Sequence, residues 1–380
     1  MKRFLLFLLA ALCLAGCHDP EREAKNRQVV LFYLAGNNSL SVDGEHDYEG
    51  LKNSWLPRMN DREQIFLVYR HFMDQTPVLS RLCLDRKGNL VEEIITEYPF
   101  ETNSASAQTL STVIADAEEA WPAANHGLIL WSHASGFLHS GYYIDPKERS
   151  RGAAVMSFGE DHGSEIELGD LRNALSRFHY SFILFDCCLM ANVEVAYELR
   201  NCCDYMAFSP TEILSDGFPY ESVVQPLFSL SAEEAMKRVC QNYMDQYKAQ
   251  SGAYQSATIT LVKASELDGL ARACKPVFQN HREQILTLDR SQIQPYFRFN
   301  KHWYYDIDDF VGRVASEAEY RDFVAALDRV VIYKDATEAF LSIDITHYSG
   351  LSIYIPRPEY TVLNNYYKTL QWNQATGLVY

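Results

Sequence analysis

Residues 182–199 read FILFDCCLMANVEVAYEL: an unbroken apolar run, an acid, two adjacent cysteines and then apolar residues at helical spacing. A short apolar run bounded by polar residues suits a strand buried on both faces, as in a parallel sheet covered by helices. Leu189, Val193, Ala196 and Leu199 (or the stem of Arg200) fall on one helical face, so a helix is expected to start near Leu189. A strand passing straight into a helix is half of a βαβ unit, whose partner strands must come from elsewhere in the chain.

Upstream, QVVLFYLAGNNSL (residues 28–40), EQIFLVYRHF (63–72) and HGLILWSHASG (126–136) are further buried-strand runs. VLSRLCLDRKGNLVEEIITEYP (78–99) reads as a hairpin turning at Lys87-Gly88-Asn89. Between residues 104 and 121, Leu110, Val113, Ile114 and Ala117 share one helical face, and IELGDLRNALSRF (166–178) is a second helix. Residues 137–165 are polar and show no sustained period. Downstream, YMAFSPTEI (205–213), SATITLVKA (256–264) and GLSIYIP (350–356) read as strands, and residues 231–250 as a helix. Alternation of strands and helices predicts an α/β fold with an open, mostly parallel sheet and helices on both faces. One domain over residues 28–380 is expected, with a more helical C-terminal part and a helix-rich insertion or subdomain at about 221–345.

The first residues stand apart. MKR is a positively charged start, FLLFLLAALCLAG is apolar but short for a membrane span, and the segment ends in Leu14-Ala15-Gly16-Cys17. Small residues before a cysteine resemble a bacterial lipobox. That implies a signal peptide over 1–16, lipidation of Cys17, a polar tether to residue 27, and anchorage in the bacterial cell envelope. The expected place is the outer membrane, facing either the periplasm or the surface. A formal charge of −16 excludes a general nucleic-acid binder, which needs a basic face. Of nine cysteines, seven remain beyond Cys13 and Cys17, an odd number that leaves at least one thiol outside any intramolecular pairing.

Two strands end in reactive residues: LILWSH in His133, FILFDCC in Asp186, Cys187 and Cys188. Function in an open parallel sheet collects at the carboxyl ends of strands. Should the two strands be neighbours, an imidazole and a thiol meet at one rim, suited to nucleophilic attack on a carbonyl. The residues alone leave other readings open: a buried small hydrophobe, a disulfide between Cys187-Cys188 and Cys202-Cys203, or a redox pair. Adjacent thiolates chelate zinc badly and the usual two-residue spacing is missing, so no metal is assigned.

DCCLMANVEVAYELRNCCDYMAFSPTEILSDGFPY (residues 186–220) resembles the nucleophile region of the clostripain family of cysteine peptidases. LILWSHASGF, VVLFYLAGNNSL, YYDIDDFV (304–311) and GLSIYIP resemble other blocks of that family, in the same order. The resemblance implies a caspase-like fold and cleavage of peptide or protein substrates after Arg or Lys. It places the nucleophile at Cys188, with Cys187 in a family alanine slot, and the activating base at His133. The oxyanion would be held by the backbone N–H groups of Ala134 and Cys188, and the basic substrate side chain by Asp186 and Asp216. Self-cleavage in the polar stretch would use Lys147, Arg149 or Arg151. No cofactor is required by this reading. Calcium dependence occurs in the family, and Asp306 to Asp309 supply hard oxygens, but no ligand set is assigned.

Two departures bear on activity. The family's His-Gly becomes His133-Ala134, which is strained if that position needs φ > 0. Gly36 stands where the family often has Asp. Ala134 motivates the alternative of a catalytically silent, binding lipoprotein.

Overall fold

The computed structural model describes residues 27–139, 158–298 and 301–380. The signal peptide, Cys17, the tether up to residue 26, and Lys147, Arg149 and Arg151 lie outside the described residues.

Strands β1 (Gln28–Gly36), β2 (Gln64–Phe72), β3 (Val78–Leu84), β4 (Leu90–Glu97) and β5 (Asn125–Trp131) precede a small hairpin, β6 (Phe158–Asp161) and β7 (Ser164–Ile166). They are followed by β8 (Tyr180–Asp186), β9 (Cys203–Phe208) and β10 (Thr258–Lys263). The last strands are β11 (Pro295–Arg298), β12 (Lys301–Asp306), β13 (Val331–Ala336), β14 (Ala339–Phe340), β15 (Ile343–Asp344) and β16 (Ser352–Tyr354). Nine of them form one sheet in the order β13-β10-β9-β8-β5-β1-β2-β3-β4. The five central strands, β9-β8-β5-β1-β2, run parallel, and both edges are finished by antiparallel pairs. Unlike the other long apolar runs, GLSIYIP does not join this sheet: β16 pairs with β12 in a separate three-stranded sheet.

Residues of the central strands alternate between two cores. Val29, Leu31 and Tyr33 face one, and Val30, Phe32 and Leu34 the other. The first core is covered by helices Ala107–Ala120 (α2), Leu168–Leu175 (α3) and Val193–Leu199 (α4), the second by Ser41–Lys52 (α1), Tyr220–Ser229 (α5) and Ala232–Lys248 (α6). In α2 the buried stripe is Leu110, Val113, Ile114 and Ala117, the four residues the spacing selects. Its start is fixed by Ser106, whose side chain accepts from Thr109 N. Leu110, Val113 and Ile114 taken fully out of water contribute about 1.5–3 kcal/mol each, so the stripe alone fixes which face the helix presents.

β1 has β2 on one side and β5 on the other. The chain leaves β1 in one direction and, from β5, builds through β8 and β9 in the other. The crevice opened by that divergence lies at the carboxyl ends of β1, β5 and β8. The hairpin β6–β7 escaped the sequence reading because only one of its paired positions on each strand is apolar: Phe158 opposes Ile166, while Asp161 opposes Ser164.

Candidate active site

Trp131 at the end of β5 pairs in register with Asp186 at the end of β8. The next residues on each strand bring His133 and Cys188 to a common cleft of about 120 Å³. A third element reaches it from β1. Asn38 pins the turn after β1, donating to Ala35 O at 3.1 Å and Glu160 O at 2.8 Å and accepting from Leu40 N at 2.9 Å. Ser39, held by this turn, places its hydroxyl 2.9 Å from His133 Nε2. Ser39 was not singled out by the sequence, where a serine after Asn-Asn reads as turn filler. Gly36 makes room here: a Cβ on it would sit 3.0 Å from the Phe72 ring.

Strand alternation separates the two cysteines. Cys187 points into the first core, 2 % exposed, with its thiol 3.0 Å from Leu130 O. Burial, with the nearby Asp186 carboxyl, pushes that thiol well above its ordinary range, so it stays protonated and inert. Cys188 is partly exposed in the cleft, its sulfur 3.8 Å from Ile213 O. None of the seven described cysteines is in a disulfide.

The turn after Cys188 differs from the expected helix start. Leu189 adopts φ +60°, a left-handed conformation costing a leucine about 1–2 kcal/mol. The helix begins only at Val193, capped by Asn192, whose side chain accepts from Val195 N and donates to Leu189 O, each at 2.9 Å. All seven residues of α4 are buried, so there is no single apolar stripe, and its amino end lies several residues from Cys188. The strained turn is held from outside. Leu189 N donates to Thr211 O and Ala191 N to Ser209 O, while β16 clasps it through Ser352 N to Ala191 O, each at 2.9 Å. Strain that persists only because its surroundings over-determine it is typical of sites that must present a side chain in one pose.

Ala134 is not among the positive-φ residues, so it is unstrained; it is buried and bridges Phe158 of β6. The left-handed position in this loop is Gly136 (φ +77°), where a Cβ would overlap Asn192 Nδ2 and lie 2.5 Å from the Tyr304 hydroxyl and 2.7 Å from Leu189 O. The Tyr304 hydroxyl donates to Ser135 O. The YYDIDDFV block thus braces the histidine loop from β12, as GLSIYIP braces the cysteine turn from β16.

The cleft floor is acidic. Asp186 is 5 % exposed and its Oδ2 accepts from the Tyr220 hydroxyl at 2.7 Å. Burial raises it to about 6, against the opposing hydrogen bonds from Tyr220 and from Phe218 N–H. Beside it lies Asp47, from α1, whose Oδ2 accepts from Trp131 Nε1 at 2.8 Å. Burial first, and then Asp186, raise Asp47 to about 9. Asp216 is exposed, next to Gly217, and does not line the cleft. The carboxyl gathered beside Asp186 is therefore Asp47, which the sequence reading did not select. Among the described residues, the charged side chains lining the cleft are Asp43, Asp186 and Glu212, with no Lys or Arg.

Asp306 to Asp309 are engaged as braces. Asp306 caps the following helix through Asp308 N and Asp309 N, and also accepts from the Tyr296 hydroxyl at 3.0 Å and Ser349 N at 2.7 Å. Asp308 binds Tyr320 and His347, and Asp309 binds Gln294 N and Arg313. Among the described residues no group of three or more His, Cys, Asp or Glu is arranged to hold a metal ion. A larger hollow of about 660 Å³ lies between α3 and the C-terminal segment, lined by residues such as Glu167, Arg172 and Tyr366. Among the described residues it holds no cysteine or serine, so the smaller cleft, with thiol and imidazole together, is the candidate site.

Residues 32–377 match the family model described as the clostripain family. A structure of an inactive zymogen C11 protease from Parabacteroides distasonis superposes with a TM-score of 0.79 at 32 % identity, covering 92 % of this chain and 97 % of that one. A secreted C11 cysteine protease from Bacteroides thetaiotaomicron, in complex with an irreversible peptide inhibitor, does so with a TM-score of 0.79 at 28 % identity, covering 92 % of this chain and 99 % of the other. A structure from Bacteroides fragilis described as a cysteine protease is 31 % identical and covers 58 % of this chain and 96 % of its own, with a TM-score of 0.53. No curated protein matches the chain.

Proposed function

The chain belongs to the clostripain family of cysteine peptidases, and from that premise we propose that it cleaves peptide bonds after Arg or Lys with Cys188 as nucleophile and His133 as its acid–base partner. One observation carries this reading: a partly exposed thiol and an imidazole follow adjacent parallel strands over a cleft that, among the described residues, has three acidic side chains and no basic one. His133 takes the Cys188 proton as the sulfur attacks the scissile carbonyl carbon. The oxyanion is met by the N–H groups of Cys188 and Ala134. Collapse of the tetrahedral intermediate breaks the C–N bond, His133 gives its proton to the departing amine, and a thioester remains. Water, deprotonated by His133, then releases the acid and restores the thiol. Ser39 fixes the imidazole plane through Nε2. Asp186 meets the basic side chain, with Asp216 adding negative charge at the pocket's edge.

A chloromethylketone carrying Arg or Lys tests this. Mass spectrometry is expected to find one equivalent on Cys188, none on Cys187, and none at all in His133→Ala. Labelling of Cys187, or a preference for a neutral probe, would overturn the assignment. The silent-binder alternative loses its motive, since Ala134 lies outside the left-handed region.

We also propose that Cys17 carries lipid and tethers the domain to the cell envelope. The lipobox-like Leu14-Ala15-Gly16-Cys17 supports this. The full chain should partition into the detergent phase and Cys17→Ser should not; equal partitioning would exclude the anchor.

A further inference from the structure

Asp47 and Asp186 come from different elements, α1 and β8, yet converge on one point above Gly217. A Cβ built on Gly217 (φ +52°) would lie 3.1 Å from Asp186 Oδ2 and 3.1 Å from Asp47 Oδ2. Asp186 is 5 % and Asp47 4 % exposed, and among the described residues neither has an ion-pair partner. Asp186 and Gly217 line the cleft, and Asp47 lies beside them without lining it. Two buried carboxyls this close cannot both ionise without a counter-charge.

We propose that Asp47 and Asp186 act as one proton-sharing pair beneath the floor of the pocket, and that entry of a basic side chain expels the shared proton. This rests on the Arg/Lys reading above. In the empty pocket one carboxyl keeps its proton and the pair carries a single negative charge. A guanidinium or ammonium stabilises the doubly ionised pair, and the proton leaves to solvent, so charge and protons balance. Asp186 makes the contact and Asp47 is a positioning residue that sets the charge of Asp186.

The surroundings support this assignment. Asp43 on α1 and Asp216 on the adjoining loop add negative charge and oppose a second ionisation. Tyr220 on α5, and Tyr243 and Tyr247 on α6, face the pair as neutral phenols, all raised by burial first; the carboxyls add to this next for Tyr220 and Tyr247, and after Tyr247 for Tyr243. Cys187 is held as a neutral thiol. Cys188 and His133 line the same cleft, and Trp131 contributes an N–H to Asp47. Burial raises both carboxyls, and Asp186 raises Asp47 further, in keeping with a proton held mainly on Asp47.

The test uses the full chain with Cys188→Ala to prevent turnover, and two peptides that differ only in Arg or its neutral isostere citrulline at the residue before the scissile bond. Calorimetry in two buffers of different ionisation enthalpy is expected to show up to one proton released on binding the Arg peptide, and none for citrulline. The Kd for the Arg peptide should fall as pH rises between about 6 and 9, by up to tenfold per unit for a single released proton. With Asp47→Asn added, proton release and this slope should vanish, and the Arg peptide should bind more weakly than to the parent at pH 8.5. Arg-peptide binding to the parent without proton release overturns the pair. So does an Asp47→Asn protein that releases the same proton. If the parent binds Arg no better than citrulline, the basic-specificity reading itself fails, and the inference with it.

Discussion

Cys188→Ala should abolish hydrolysis of Arg- or Lys-containing fluorogenic peptides, a loss of at least about 10³-fold in kcat, while Cys187→Ala keeps most of the activity. The asymmetry follows from position. Cys187 is sealed in the first core against Leu130 O, and Cys188 opens on the cleft. Removing a buried sulfur leaves a small cavity, so Cys187→Ala should cost stability and spare the chemistry. The Cys188→Ala protein should also stay a single chain if cleavage at Lys147, Arg149 or Arg151 is self-inflicted. Steady-state kinetics and a denaturing gel on the three proteins decide both points. Equal activity in Cys188→Ala would remove the proposed nucleophile.

The second large effect is expected at Asp186. Asp186→Asn should lower kcat/KM for Arg substrates about 10²–10³-fold, or about 3–4 kcal/mol at 1.4 kcal/mol per tenfold, with little change for a neutral residue at the same position. Asparagine keeps an oxygen to accept from Tyr220 and Phe218 N–H, so the floor retains its hydrogen bonds while losing its charge. Burial already penalises the ionised carboxyl, so the variant should fold at least as well as the parent at neutral pH. A uniform loss across basic and neutral substrates would show that Asp186 supports the site's shape and does not select its substrate.

Much of this arrangement was legible in the sequence because it depends on burial, and burial leaves a pattern. Strands covered on both sides must be apolar throughout, so β1, β2, β5 and β8 stand out, and the residues just past their ends become candidates without any knowledge of pairing. The four-residue stripe of α2 was readable for the same reason. What escaped depends on contacts between distant segments. Asp47 sits in SVDGEHDYEGLK, where an aspartate reads as solvent-facing; only Trp131, Gly217 and Asp186, all from elsewhere, bury it. Leu189 takes a glycine-like conformation that no residue type announces, because Thr211 and Asn192 impose it. Concern over Ala134 was misplaced by two positions: the loop does need a left-handed residue, and it is Gly136.

β5 and β8 lie on opposite sides of the segment 140–157 in sequence, yet they are neighbours in the middle of the sheet, joined by five paired positions from Gly127–Phe182 to Trp131–Asp186. The β6 end of that segment is fastened separately, through Asp161 to Ser104 N and Oγ at 2.7 Å and to Asn37 Nδ2 at 2.9 Å. Severing the backbone there would therefore yield two polypeptides and still one particle. The histidine would travel with the lighter fragment and the cysteine with the heavier, and neither could be purified away from the other under native conditions without tearing the central sheet apart.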